Sequence, residues 1–168
     1  MDFTLEPEFD ALREKTRGFI AEHILPLEAD KANYDAHENI ALPVLEAARS
    51  KAKAAGLWAP QAPKARGGMG LPVRGWASLY EEANRSIFGP VVLNCAAPDD
   101  GNINLLSKIG TEAQKDWFLQ PLIDGKVRSS FAMTEPAPGA GSDPSMMQTT
   151  ATRKGEKWFI KGHKWKIT

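Results

Sequence analysis

The residues best suited to chemistry lie in one short stretch, Thr134–Asp143, which reads TEPAPGAGSD. Its hydroxyls stand beside glycines, which let the backbone approach a ligand closely because they carry no Cβ. Backbone N–H groups flanked by hydroxyls can bind a pyrophosphate or the edge of a flavin ring. The composition is also typical of a plain loop with a turn at Asp143-Pro144, and spacing alone favours that simpler interpretation.

Two carboxylates in this stretch, Glu135 and Asp143, could act as acid–base groups, although a single loop carboxylate is more often solvated or caps a turn. The sequence lacks motifs for metal binding and for dinucleotide binding. The three histidines have no partners at metal-ligand spacing, and the single Cys95, read as a small buried apolar residue, excludes a multi-thiolate site. Gly139-Ala140-Gly141 lacks the third glycine and the following helix of a dinucleotide-binding turn. We therefore expect no metal site and no Rossmann fold.

Charge and hydropathy limit the class of protein. The 21 basic and 21 acidic side chains give zero net charge, which argues against a nucleic-acid binder. No apolar run approaches the roughly 20 residues of a membrane span, and no signal peptide is visible, so we expect a cytoplasmic protein. Residues 150–168 carry six basic side chains against Glu156 alone. This end is equally compatible with a solvated hairpin and with a surface facing a phosphorylated ligand.

Helical periodicity begins near the N-terminus. A stripe from Phe9 to His23 predicts a first helix that Pro26 must end. Pro43 suits the first turn of a second helix, and Gly56 stops it. The prolines and glycines of residues 60–72 then predict a loop.

Three more helices are predicted before residue 126. Apolar stripes at residues 76–83 and 103–109 give the third and fourth, the latter ending at Gly110. Thr111 and Gln114 form a capping box that opens a fifth, which Pro121 breaks or kinks and Gly125 closes.

From residue 126 the periodicity falls to two, which predicts strands. The first contains Val127, Ser129, Phe131 and Met133. After a loop at 134–148, strands at 149–154, 157–160 and 163–168 are separated by turns. The predicted fold class is therefore α+β, with an all-α helical bundle at residues 1–125 and strands at 126–168.

Three segments, in order along the chain, resemble the flavin-dependent acyl-CoA dehydrogenases: FAMTEP (Phe131–Pro136), GAGSD (Gly139–Asp143) and GHKWKIT (Gly162–Thr168). The segment Arg85–Pro136 is similar to the end of that family's N-terminal helical domain. It is closest to the branch that acts on long, branched or hydroxylated acyl chains. The resemblance implies that residues 126–168 are the incomplete beginning of a middle β-barrel domain.

The resemblance also implies FAD as cofactor, with cofactor-binding residues at Phe131, Met133, Thr134, Gly141, Ser142, Lys166, Ile167 and Thr168. The first three would lie along the flavin, with the Thr134 hydroxyl and nearby backbone N–H groups bonded to its ring. Ser142 would also approach the substrate. Lys166 stands where the family usually has an aromatic residue, and the family's catalytic glutamate has no counterpart up to residue 168.

The activity implied is α,β-dehydrogenation of an acyl-CoA thioester, in which a carboxylate takes the α proton and hydride leaves the β carbon. The implied partners are acyl-CoA and an electron-transfer flavoprotein, and a full-length member would be a homo-oligomer. We expect these 168 residues alone not to turn over. The alternative is a non-catalytic helical module derived from the family that pairs with a partner subunit.

Overall fold

The computed structural model describes residues 4–141 and 143–167. They divide into two compact units, one ending at Arg128 and the other beginning at Ser129. The first is helical and the second contains an antiparallel hairpin, so the predicted α+β class is confirmed. The α-helical segments of the described residues are α1 Pro7–Phe19, α2 Leu25–Ala29, α3 Leu42–Ala54, α4 Val73–Ala83, α5 Gly89–Val92, α6 Asp99–Ile109, α7 Glu112–Gln114 and α8 Gln120–Asp124.

The prediction that Pro26 ends the first helix is wrong. A π-helical turn at Ile20–Ile24 joins α1 to α2, and Pro26 lies in the first turn of α2. The Leu25 N–H donates to the Ile20 carbonyl, five residues back. This wider turn accommodates a proline ring that would strike the carbonyl four residues back in a regular α-helix.

The same arrangement carries the chain past Pro121. A π-helical turn at Lys115–Leu119 precedes α8, and Pro121 lies in the first turn of that helix. The capping box predicted at Thr111 and Gln114 is confirmed by reciprocal side-chain-to-backbone bonds. Gly125 closes α8 in the left-handed conformation, with φ of 76°.

The core of the first unit fills the space between α1, the π-turn after it, α3, α4 and the residues that follow. Its largest fully buried side chains include Ile20, Leu57, Leu79, Leu93 and Ile103. In α3, Leu45, Ala48 and Ala52 are buried, and Cys95 is buried as expected.

Side chains from elsewhere in the unit cap the C-terminal end of α8, whose last carbonyls have no partner within the helix. Arg49 Nη1 donates to the Gly125 carbonyl (2.9 Å) and Arg49 Nε to the Val91 carbonyl (3.2 Å). Trp58 Nε1 donates to the Ile123 carbonyl at 2.8 Å. The chain therefore leaves the helical unit from a firmly held end.

The second unit contains a β-hairpin, with β1 Thr150–Lys154 paired to β2 Lys157–Lys161. The tight turn places Gly155 at φ of 61°, a conformation that suits the first central residue of a type II′ turn. Both strands are exposed along their whole length. The strand predictions at 149–154 and 157–160 are thus confirmed to within a residue.

The other strand predictions are wrong. Residues 127–133 and 163–167 are assigned to neither a strand nor a helix, and neither segment joins a ladder with a described neighbour; Thr168, the last residue of the predicted strand, lies outside the described residues. A strand is defined by backbone pairing with a neighbour, and alternation of side chains alone does not supply that neighbour. Instead, the two regions are connected by the hydrogen bonds to the Met133 and Thr134 carbonyls that are described next.

Candidate functional site

A buried carboxylate organises the second unit. Glu135 is 5% exposed, and its Oε1 accepts hydrogen bonds from the Thr149 N–H (2.9 Å), the Thr149 hydroxyl and Lys164 Nζ (2.9 Å). Its Oε2 accepts from the Gln148 N–H (2.6 Å) and, at 3.4 Å, from the Ala140 N–H. We call these five residues the Glu135 cluster.

These donors keep Glu135 ionised. The Thr149 hydroxyl and the Gln148 N–H, with Lys164, hold the pKa of Glu135 far below its usual range, although burial opposes them. A carboxylate that is occupied by donors and this acidic is a poor proton acceptor near neutral pH. Its role in the described structure is to hold the loop together.

The cluster also joins the first and the last of the three segments that carry the family resemblance, Phe131–Pro136 and Gly162–Thr168. Lys164 Nζ donates to the Met133 carbonyl at 2.9 Å, and the Trp165 N–H donates to the Thr134 carbonyl at 3.1 Å. Met133 and Thr134 therefore lie directly beside Lys164 and Trp165. Met133 and Lys164 are 31 residues apart in the sequence.

The next feature is the pair of hydrogen-bond donors of Thr134, its N–H and its hydroxyl. Among the described residues, neither its N–H nor its hydroxyl has a hydrogen-bond partner, and its side chain is half-buried. The neighbouring Phe131 is 55% exposed and Met133 is half-buried. An apolar surface bordered by free donors suits a flat ligand with apolar faces and a polar edge.

The remaining predicted site residues are placed as follows. Gly141 is exposed, and Ile167 is 39% exposed. Lys166 has a positive φ of 48°, and its Nζ lies 5.1 Å from the centroid of the Trp165 ring. Ser142 and Thr168 lie outside the described residues. The assignment of all these residues to a cofactor stays a prediction.

Asp143 takes the turn-capping role that the simpler interpretation of the loop assigned to it. Its side chain accepts from the Ser145 N–H at 2.9 Å and opens a 3₁₀ turn at Pro144–Met146. Bonds with Ser145 lower the pKa of Asp143 from its ordinary value of 3.8. Asp143 is therefore ionised and engaged at neutral pH.

Sequence reasoning missed two members of the site, Thr149 and Lys164. Both were read as parts of strands, and Lys164, which also lies in the GHKWKIT segment and in the basic end of the chain, was given no role of its own. Their partner Glu135 lies 14 and 29 residues away. One usable signal was available, since a Glu between apolar residues and prolines needs donors if it is buried.

The chain belongs to the acyl-CoA dehydrogenase family. Residues 6–126 match the family described as acyl-CoA dehydrogenase, N-terminal domain, which is more than half of the chain. The protein named "Probable acyl-CoA dehydrogenase FadE2" from Mycobacterium tuberculosis is 39% identical over 170 aligned residues, which cover 98% of this chain and 41% of that protein.

Two solved structures are similar in fold to this chain. A structure from Mycobacterium abscessus, itself proposed to be an acyl-CoA dehydrogenase, has a TM-score of 0.86 at 36% identity and covers 99% of this chain and 43% of its own. The acyl-CoA dehydrogenase from Bacillus anthracis, solved in complex with FAD, has a TM-score of 0.66 at 25% identity, covering 97% of this chain and 27% of its own. The chain thus spans about two fifths of the length of the first of these relatives. Within the described residues, every helix is too short or too polar to cross a membrane.

Proposed function

We propose that the chain contributes the helical unit and one side of the cofactor site to an FAD-dependent acyl-CoA dehydrogenase, which forms an α,β double bond in an acyl-CoA thioester. The observation that carries the proposal is Thr134, whose hydroxyl and N–H have no partner in the described part of the chain and which lies beside Lys164 and Trp165. Support comes from membership of the family and from the FAD complex of the Bacillus anthracis relative.

The residues present fit a flavin. Phe131 and Met133 offer an apolar surface to a ring face, and Thr134 offers donors to the carbonyl and nitrogen atoms of a ring edge. Gly141 leaves open space around its Cα, where an added Cβ would meet nothing within 4 Å, so a phosphate could approach its backbone. When bound, FAD would accept the two electrons that leave the acyl chain.

The described residues of this loop bind and orient rather than move protons. Glu135 and Asp143 are both ionised and engaged with donors. Neither is available to take the α proton of a thioester. We therefore infer that the 168-residue chain alone does not dehydrogenate acyl-CoA. A cytoplasmic location, homo-oligomeric assembly of full-length subunits and electron transfer to an electron-transfer flavoprotein are parts of the same proposal.

The proposal is tested by incubating the purified chain with FAD, removing free ligand by gel filtration and recording the visible spectrum. We expect the natural chain to retain flavin. Thr134→Val should bind FAD about fivefold or more weakly, because the variant lacks one hydrogen bond to the cofactor. Thr134→Ser, which keeps the hydroxyl, should bind like the natural chain. The matched control is Thr152→Val on the exposed strand β1. Equal affinity of Thr134→Val and Thr152→Val would contradict the assignment of Thr134.

A second candidate function is a non-catalytic module that pairs with another subunit. It is favoured by the hairpin, whose two faces expose Trp158, Phe159 and Ile160. Apolar side chains exposed together in this way often mark an interaction surface. A folded chain that excludes FAD at all concentrations would favour this candidate. Turnover of an acyl-CoA panel by the isolated chain in a dye-linked assay would contradict this candidate and also the inference that the chain alone is inactive.

A further inference from the structure

The Glu135 cluster joins three parts of the second unit at one point. Glu135 follows the Phe131–Thr134 segment directly, its donors Gln148 and Thr149 end the loop, and its donor Lys164 follows the hairpin. The Ala140 N–H adds a weaker contact from the middle of the loop. The hydrogen bonds of one side chain therefore connect the loop with the segment before it and the segment after the hairpin.

Among the described residues, the partners of the Glu135 carboxylate are three backbone N–H groups, one hydroxyl and one ammonium group, all of them donors. A carboxylate matches them because both of its oxygens only accept hydrogen bonds when it is ionised. A glutamine of the same shape has one accepting oxygen and an NH₂ group that would face a donor. The charge of Glu135, not only its size, is therefore required by the geometry.

Two glycines leave the space that the cluster needs. A Cβ added to Gly139 would overlap Glu135 Oε2, and a Cβ added to Gly162 would overlap the Thr149 hydroxyl oxygen. The described backbone thus fits closely around the carboxylate on two sides. Such tight packing makes small errors in the position of Glu135 costly for the whole loop.

We propose that Glu135 is a positioning residue for the cofactor segment, and that its bonds to Thr149 and Lys164 set where the Thr134 donors lie. This inference rests on the proposed function, because it assigns those donors to FAD. Lys164 acts in two ways, since it neutralises Glu135 and also donates to the Met133 carbonyl. Glu135 itself neither gains nor loses a proton during this role.

The test compares Glu135→Gln with the matched control Glu156→Gln, which makes the same change in the exposed hairpin turn. Amide hydrogen exchange is measured on the chain without FAD, and FAD affinity and the visible spectrum are measured on the loaded chain. We expect Glu135→Gln to speed exchange at Gln148 and Thr149 about tenfold or more and to weaken FAD binding by a similar factor. Exchange in the first unit should not change.

Variants of the partners keep the test decisive if Glu135→Gln fails to fold. Thr149→Val removes only the hydroxyl donor, and Lys164→Met removes the charge. Lys164→Arg keeps the charge and should restore the FAD affinity and the shape of the flavin absorbance band to near those of the natural chain. Rescue of this kind separates a positioning role from general loss of structure.

The outcomes distinguish this inference from the proposed function. If the natural chain retains FAD and Glu135→Gln and Lys164→Met retain it with equal affinity and the same spectrum, the positioning role is overturned while the proposed function stands. If the natural chain binds no FAD but exchange at Gln148 and Thr149 rises as expected, the loop-holding role of Glu135 stands and the proposed function falls. Unchanged exchange in Glu135→Gln overturns the inference in either case.

Discussion

Arg49 gives a sharp prediction about the end of the helical unit. Its side chain is buried, at 9% exposure, and its guanidinium donates to the carbonyls of Gly125 and Val91. It also lies 5.7 Å from the ring centroid of Trp58. Burial lowers the pKa of Arg49 from its ordinary value, and an arginine side chain still remains charged at neutral pH. The perturbation is Arg49→Met, which keeps the apolar stem and removes both donors.

The magnitude follows from two opposing terms. Two partly buried carbonyls lose their donor, and each lost bond costs up to about 1–3 kcal/mol, or about 2–6 kcal/mol together. The bonds are strong because their donor is charged, and removal of the buried charge offsets part of their loss. We therefore expect the free energy of unfolding to fall by about 2–3 kcal/mol. Arg49→Lys keeps the charge but not the forked geometry, so its loss should be intermediate.

The assay is urea unfolding followed by tryptophan fluorescence, with the slope of the transition compared between variants. The control is Arg74→Met, since the Arg74 side chain is 57% exposed and pairs with Glu6 at the surface. That variant should lie within about 0.5 kcal/mol of the natural chain. If Arg49→Met is as stable as the natural chain, the bonds to the two carbonyls do no more than offset the burial of the charge, and the reasoning fails.

The remaining predictions concern the core and the response to pH. Leu79→Ala should lower the free energy of unfolding by about 2–5 kcal/mol, because Leu79 is fully buried. The control Leu105→Ala, at a half-exposed position, should lower it far less. Similar losses from both variants in urea unfolding would contradict the described core. The bidentate bond from Arg17 lowers the pKa of Glu82 from its ordinary 4.5, so the stability from this pair is present above pH 4.5 and is lost as pH falls through the lower folded value. Thermal unfolding from pH 7 to pH 3 should show a shallower acid loss in Glu82→Gln, and identical acid profiles would refute the pairing.

Much of the helical unit could be predicted from sequence because its signals are local. The capping box at Thr111 needs only residues three apart, and the left-handed stops at Gly56 and Gly125 need only the glycine itself. Pro26 was misread because the usual rule assumes α-helical bonding to the residue four back. A π-helical turn removes that conflict, and no single residue type announces it.

The candidate site was predicted in part, for the opposite reason. The Thr134–Asp143 stretch was recognisable from its own composition, and Asp143 was a foreseeable turn cap. The contacts of Glu135 with Thr149 and Lys164 depend on residues 14 and 29 positions away, and no local pattern links them. Burial of a carboxylate is likewise a property of the folded environment, not of the residue.

The failed strand predictions and the Glu135 cluster are two aspects of one arrangement. The segments at 127–133 and 163–167 were predicted as strands, yet the Lys164 side chain donates to the Met133 carbonyl, and the Trp165 N–H donates to the carbonyl of the next residue, Thr134. Pairing with a neighbouring strand would engage backbone N–H groups at alternate residues, whereas among the described residues the Thr134 N–H and hydroxyl have no partner. The second unit therefore holds the two motif segments side by side through a buried charge pair, and it does so at the point where a flavin edge would need free donors.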